Sequence, residues 1–262
     1  MERVSVMYSK VTLNILTPYS FEHEEEGKAF LHFLVKSYPE MVPQKYNYVD
    51  PVKFNFDVND IDTALAGWKN GFLWKRKMPD LDGSLWKPSR PDLHGWLTMD
   101  LVSGDPEQAR MDRFLKDASS FLNADFGFLH VLNPIEIAKT RKNGTIGCIS
   151  PKRQEYQIDV TSHDLHKFVP NLFWATVFGE PYVNMVGRER MLSSPAPVVE
   201  ELPYGGIYIQ LSESISDMLT DYERVDKVRQ RVKDHLNNNI FFEPDAFEDQ
   251  SYSVPNFHLG EN

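Results

Sequence analysis

The chain carries a single cysteine, Cys148, among 262 residues. No internal disulfide can form, which suits a reducing compartment. No apolar run approaches the ~20 residues that cross a bilayer, and residues 1–10 hold no apolar signal core. Both absences make a cytoplasmic location the expectation. No Gly-x-x-x-x-Gly-Lys phosphate loop occurs, nor any Gly-x-Ser-x-Gly nucleophile turn. Positive charge is also scarce, with 28 Lys and Arg against 38 Asp and Glu, a net charge of −10 and a pI near 5.3. That deficit argues against non-specific binding to nucleic acid or anionic membranes. An acidic surface is suited instead to a basic protein partner.

Apolar material is plentiful. Hydrophobic residues make up 41% of the chain and aromatic residues 13%, which excludes disorder of the whole. A chain of this length lies near the limit for one core, and two modules are equally natural. The second half divides into a strand over 172–178, a helix over 181–191 opened by Pro181, a hairpin over 198–202 and 206–211, a helix over 221–236, and a short strand at 240–242. In the long helix Val225, Val228, Val232 and Leu236 recur at three- and four-residue steps, with Asp221 as N-cap and Asn237 at the stop. This order is the split β-α-β-β-α-β arrangement.

The first half reads in a similar way. Strands are expected over 4–16, 72–77, 94–102 and 126–131, and helices over 25–38, 59–68 and 106–122. Residues 95–101 align by eye with 205–211, and 121–126 with 235–240. The expectation is an α+β protein of two related split β-α-β-β-α-β units with mostly antiparallel sheets. Its parts are an N-terminal unit at 1–132, a connecting insert at 133–170, a C-terminal unit at 171–243 and an acidic, irregular, solvated tail at 244–262.

Candidate chemistry is sparse. His163 and His166 have the spacing of two ligands on one helix face, but no third ligand has a telling position, so exposed or capping roles are expected. Cys148 follows Asn143-Gly144-Thr145-Ile146-Gly147 without a histidine close by to serve as its base, and reads as a loop thiol. Glu200 and Glu201 are successive residues of a strand and point to opposite faces. Tyr208 lacks the basic-aromatic context of an RNA-binding strand, and Lys75-Arg76-Lys77 is too short to reverse the overall field. Neither a catalytic group, a metal nor a cofactor is expected, and neither nucleic acid nor membrane is a partner.

The stretch 173–179, Phe-Trp-Ala-Thr-Val-Phe-Gly, leads into Pro181-Tyr-Val183 and Gly187-Arg-Glu-Arg-Met-Leu192. Together with Leu202-Pro-Tyr-Gly-Gly-Ile-Tyr-Ile-Gln-Leu211 and the helix after it, this region resembles the immunity protein fifty-two family of bacterial polymorphic-toxin and type VI secretion systems. The resemblance covers about residues 165–243. It implies an α+β protein that binds and silences a cognate toxin, in some cases a nuclease, by covering its active site or substrate groove. It carries over no functional residue. From the residues themselves, the candidate toxin contacts are Glu22, Glu24, Glu25 and Glu26, the tail set Glu243, Asp245, Glu248 and Asp249, and Trp86. Trp68, Trp74, Trp86 and Trp96 fall among proline-rich segments; at least two should cover the core, and Trp86 is expected to be an exposed anchor on a loop. Two alternatives stand beside this reading. One is a small-metabolite hydrolase with a dispersed site drawing on His163, His166 and Cys148. The other is a homodimeric structural or assembly protein, and a homodimer would also be compatible with toxin binding.

Overall fold

Residues 10–21, 24–103, 110–140, 146–150, 155–243 and 251–260 are described by a computed structural model. The first half contains β1 (Val11–Thr17), α1 (Glu24–Ser37), β2 (Lys45–Asn47), β3 (Phe54–Asn55), α2 (Ile61–Leu65), β4 (Gly71–Lys77), β5 (Asp80–Trp86), β6 (Gly95–Ser103), α3 (Met111–Phe121) and β7 (Phe126–Val131). Next come α4 (Pro134–Thr140), the hairpin β8 (Ile146–Ser150) and β9 (Glu155–Ile158), and α5 (Ser162–Leu165). The second half holds β10 (Ala175–Phe178), α6 (Glu180–Val186), α7 (Arg188–Leu192), β11 (Val198–Glu201), β12 (Ile207–Gln210), α8 (Asp217–Thr220) and α9 (Tyr222–Leu236).

Strand β1 sits inside a ten-stranded sheet of order β11-β12-β10-β7-β1-β6-β5-β4-β2-β3, and every one of its seven residues is buried. All neighbouring pairs are antiparallel. The protein is therefore α+β. Strands β1, β5, β6 and β7 stand in the order β5-β6-β1-β7, with α1 and α3 in the crossovers, as a split unit requires. Strands β10, β11 and β12 repeat the order in the opposite direction as β11-β12-β10, and β7 fills the place of their fourth strand. The two halves thus share one sheet with β7 common to both, instead of each closing its own.

This arrangement puts helices on both faces. Right-handed crossovers that run in opposite directions along a sheet place their helices on opposite sides. Neighbouring residues of β7 bear this out. A Cβ on Gly127 would lie 3.2 Å from Ser119 Oγ of α3, whereas the Phe126 ring lies 5.9 Å from that of Tyr182 in α6. Helix α1 joins α3 through the Phe33–Phe114 and Phe33–Phe121 ring contacts.

Several expected elements differ in detail. The helix at 181–191 is two helices, because Gly187 takes φ 98° between them, a conformation costly for any other residue. The short strand at 240–242 is a 3-10 turn, Asn238–Ile240, followed by a single bridge from Phe241 to Val169; the edge of β10 it would have joined already belongs to β7. Asp221 precedes α9 as expected, yet its carboxylate accepts from Arg224 Nε at 2.6 Å and makes no cap bond. The helix at 59–68 shrinks to α2, and β2, β3 and β5 were not foreseen. The insert carries α4, the β8–β9 hairpin and α5. Cys148 lies on β8, paired with Tyr156, so it is on a strand and not a loop. Residues 251–260 of the tail have no helix or strand, but they are not simply solvated: Pro255 is buried and Phe257 packs on the core. Residues 1–9, 104–109 and 143–145, with the parts of the predicted strand, helix and turn that fall there, lie outside the described residues.

Candidate functional site

A recess opens where β7 begins and β10 ends. Asp125 N–H donates to Leu16 O at 3.0 Å, and Gly179 N–H donates to Asp125 O at 2.9 Å. Gly179 can be nothing larger, since a Cβ would overlap the carbonyl oxygen of Ala124. That close approach sets the start of α6 beside Asp125. The cleft encloses about 680 Å³ and is lined by Pro18, Asn123, Asp125, Glu180, Pro181, Asn184, Met185, Tyr204, Val254, Pro255, Asn256 and His258. Two carboxylates and three side-chain amides face it, and no lysine or arginine does. Its fourth wall is the C-terminal segment.

Asp125 is only 5% exposed. Its Oδ2 lies 3.2 Å from His94 Nε2, and His94 Nδ1 lies 2.7 Å from Ser162 Oγ. The backbone N–H of His94 also donates to Ser162 Oγ, at 3.1 Å. Because the Asp125 carboxylate can only accept, Nε2 carries the proton of the neutral ring, and Nδ1 accepts from the serine hydroxyl. Phe257 stands edge-on to the His94 ring at 4.8 Å and to His166 at 5.2 Å. A nucleophilic serine needs an oxygen open to substrate and an imidazole free to take its proton through Nε2. Ser162 is 8% exposed, and the ring nitrogens are used the other way round. The Ser162–His94–Asp125 chain is thus built to hold a carboxylate in place. Burial pushes the hydroxyls of Tyr182 and Tyr204 far above the ordinary tyrosine range, and the negative Asp125 adds to the effect. Both stay neutral, and Tyr204 donates to Ala124 O at 2.9 Å.

A second feature lies on the sheet itself. Leu81, Gly83, Leu85, Leu97 and Met99 are buried, while the alternate residues Asp82, Ser84, Trp86, Trp96, Thr98 and Asp100 all keep partial exposure. One face of β5 and β6 is therefore covered and the other open. Trp86 and Trp96 are directly paired on the open face, their rings stacked at 5.9 Å and 18°. Trp86 is held flat because Gly71 opposite it leaves room; a Cβ there would come within 2.5 Å of the indole. Trp96 is also paired with Leu16, which is paired in turn with Phe126. The tryptophans thus share a face and an end of the sheet with Tyr182, Asp125 and the cleft.

The residues singled out from the sequence are scattered. Trp86 is half-buried at the end of β5, on a strand and not on a loop; Trp68 and Trp74 do cover the core. Glu25 is exposed and Glu26 half-buried in the first turn of α1, on the face opposite Trp86. Glu243 lies 3.9 Å from Lys233 near the end of α9. Glu22, Asp245, Glu248 and Asp249, and the Glu24 side chain, lie outside the described residues. Glu200 pairs with Lys116 and Glu201 with Arg188, as their alternation requires. His163 and His166 are both exposed, on α5 and at its C-terminal end. No three or more His, Cys, Asp or Glu among the described residues are placed to hold a metal ion. Asp125, His94 and Ser162 were not foreseen, and at separations of 31 and 68 residues no spacing signal could have revealed them.

A third polar cluster is a joint. Glu136 of α4 is 5% exposed and takes hydrogen bonds from His130 Nε2 at 2.9 Å and Asn133 Nδ2 at 3.0 Å, and an ion pair from Arg229 Nη2 of α9 at 2.9 Å. Trp174 N–H donates to His130 Nδ1 at 3.0 Å, which leaves the ring proton on Nε2, facing Glu136. Burial alone would raise the Glu136 carboxyl, but His130 and Arg229 pull it down to about 2. The cluster ties α4 and α9 to β7.

Compared with known families and with curated proteins, the chain matches no family model and no curated sequence. No helix among the described residues is long and apolar enough to cross a membrane.

Proposed function

We propose that the chain is an immunity protein, acting in the cytoplasm, that binds a cognate toxin domain and covers its active site or substrate groove. The observation that carries this reading is the half-exposed Trp86–Trp96 stack on an open sheet face, at the same end as a cleft lined by Asp125 and Glu180. Stacked aromatics held rigidly on strands supply contact area at little entropic cost, and such residues anchor protein interfaces. A net charge of −10 favours a basic partner, such as a nuclease domain, and speeds its approach. The stretch that resembles immunity proteins forms β10 to α9, the half of the fold that builds one wall of the cleft.

The test is growth of a bacterial host expressing the C-terminal domain of the neighbouring open reading frame, with and without this chain. Rescue together with co-purification is the expected result. Persistent toxicity with this chain soluble and abundant, or a harmless neighbour, would sink the reading.

A further inference from the structure

We infer that the cleft beside Asp125 is a seat for an arginine side chain of the protein partner; the identity of that partner as a toxin rests on the reading above. Its buried end is an anion. Asp125 is 5% exposed, its Oδ2 is held by His94, and its Oδ1 makes no hydrogen bond to a described residue. Its mouth carries a second anion, Glu180, which has no ion pair or hydrogen bond among the described residues. Asn184 and Asn256, on opposite walls, likewise spend no side-chain hydrogen bond on a described residue. A recess with two carboxylates, two uncommitted amides and no lysine or arginine is attractive to a cation and repels an anion.

The choice of arginine over lysine comes from shape. A guanidinium is planar and presents five donors in a fork, which can bond Asp125 below and Glu180 or the amide oxygens at the rim. It is also weakly hydrated and packs flat against rings. Tyr204, tethered by its hydroxyl to Ala124 O, and Pro181 and Pro255 supply such surfaces. The Ser162–His94 pair acts as a positioning device: it fixes Asp125 from behind, so that the carboxylate does not swing to meet its ligand.

The probe is N-acetyl-arginine methylamide, followed through the backbone amide NMR signals of the full chain at constant ionic strength. Saturable shifts at Gly179, Asn184 and Asn256 are expected, with a dissociation constant on the order of millimolar for so small a ligand. The neutral citrulline analogue should produce none of them, and the lysine analogue should bind more weakly. Asp125→Asn should weaken binding about 30-fold or more, since it removes one partner of a desolvated pair. Glu180→Gln lies at the surface, cannot unfold the protein, and should weaken binding several-fold. Equal shifts from the citrulline analogue, no saturable shift in the cleft, or an unchanged affinity in Glu180→Gln would overturn the assignment. Binding that survives in the purified complex with the partner would show that the seat does not serve the partner. Rescue of the host without arginine binding removes the seat and leaves the immunity reading intact. Arginine binding without rescue does the reverse.

Discussion

Replacing Glu136 should be the most damaging single change to the joint between α4, α9 and β7. Among the described residues, its carboxylate is the one buried anion paired with Arg229; Asp226, at 3.0 Å on the other side, is partly exposed. Glu136→Ala leaves a guanidinium that is 5% exposed without its main counter-charge, and leaves His130 Nε2–H without an acceptor. Breaking a buried pair in this way costs about 3–5 kcal/mol, equivalent to a fall in Tm of roughly 6–20 °C in a chain of this size. The acid limb provides an independent check. The folded pKa lies near 2, below the ordinary 4.5, so this contribution is complete above pH 4.5 and is lost as pH falls from 4.5 towards 2. The difference corresponds to about 3 kcal/mol. Urea unfolding of the wild type and Glu136→Gln between pH 7 and 2.5 measures it directly. Glutamine turns an N–H₂ towards Arg229 and does not titrate, so the variant should be weaker at pH 7 and flatter in acid. Parallel loss of stability in the two proteins below pH 4.5, or a Glu136→Ala penalty under 1 kcal/mol, would refute the argument.

Trp86→Ala and Trp96→Ala should each cost about 1–2 kcal/mol in a urea titration, because both rings are half-buried, yet leave the chain folded and weaken capture of the toxin domain in a pull-down or calorimetric titration by about 30-fold or more. Gly179→Ala should destabilise by about 1–3 kcal/mol, since the new Cβ meets a backbone carbonyl that cannot step aside; circular dichroism during urea titration reads it. Burial lowers the Lys233 ammonium to about 8 despite Glu243 nearby. The unfolded chain therefore holds more protons between pH 8 and about 10, and stability should rise with pH across that window. In Lys233→Met, the same stability measurement should start higher at pH 7 and lose the rise.

What could be read from the sequence follows from the range of the interactions involved. Helices α1 and α9 were visible because their apolar residues recur at helical spacing, and β4, β6 and β7 because aromatic and β-branched residues cluster there. Strand β5 alternates as cleanly as any, with Leu81, Gly83 and Leu85 buried, but Pro79, Pro88 and Pro91 around it gave it the look of a loop. Its glycine is a packing residue: the Trp74 indole occupies the space where a Cβ would be. That meaning appears only when register sets Trp74 opposite Gly83. The same holds for Trp86, whose neighbour in space is Trp96 through pairing and not through sequence.

The sharing of β7 carries the argument furthest. Because β7 serves as fourth strand to both sets, the edge of β10 is taken; Phe241 makes only a bridge to Val169, and residues 251–260 lie against the end of the sheet beside Asp125. There Phe257 closes over His94, and Val254, Pro255, Asn256 and His258 complete the cleft. Had the second half closed its own unit, residues 240–242 would have taken the place beside β10 that β7 holds, and Asp125 would not stand next to Gly179. The candidate site is thus a consequence of two halves competing for one strand position, a property of topology that no local pattern of residues records. Deleting residues 251–262 tests this directly. The fold should persist, since the ten strands lie outside the segment, while arginine binding should be lost and His94 should become open to solvent. Retention of arginine binding in the truncated chain would place the seat elsewhere.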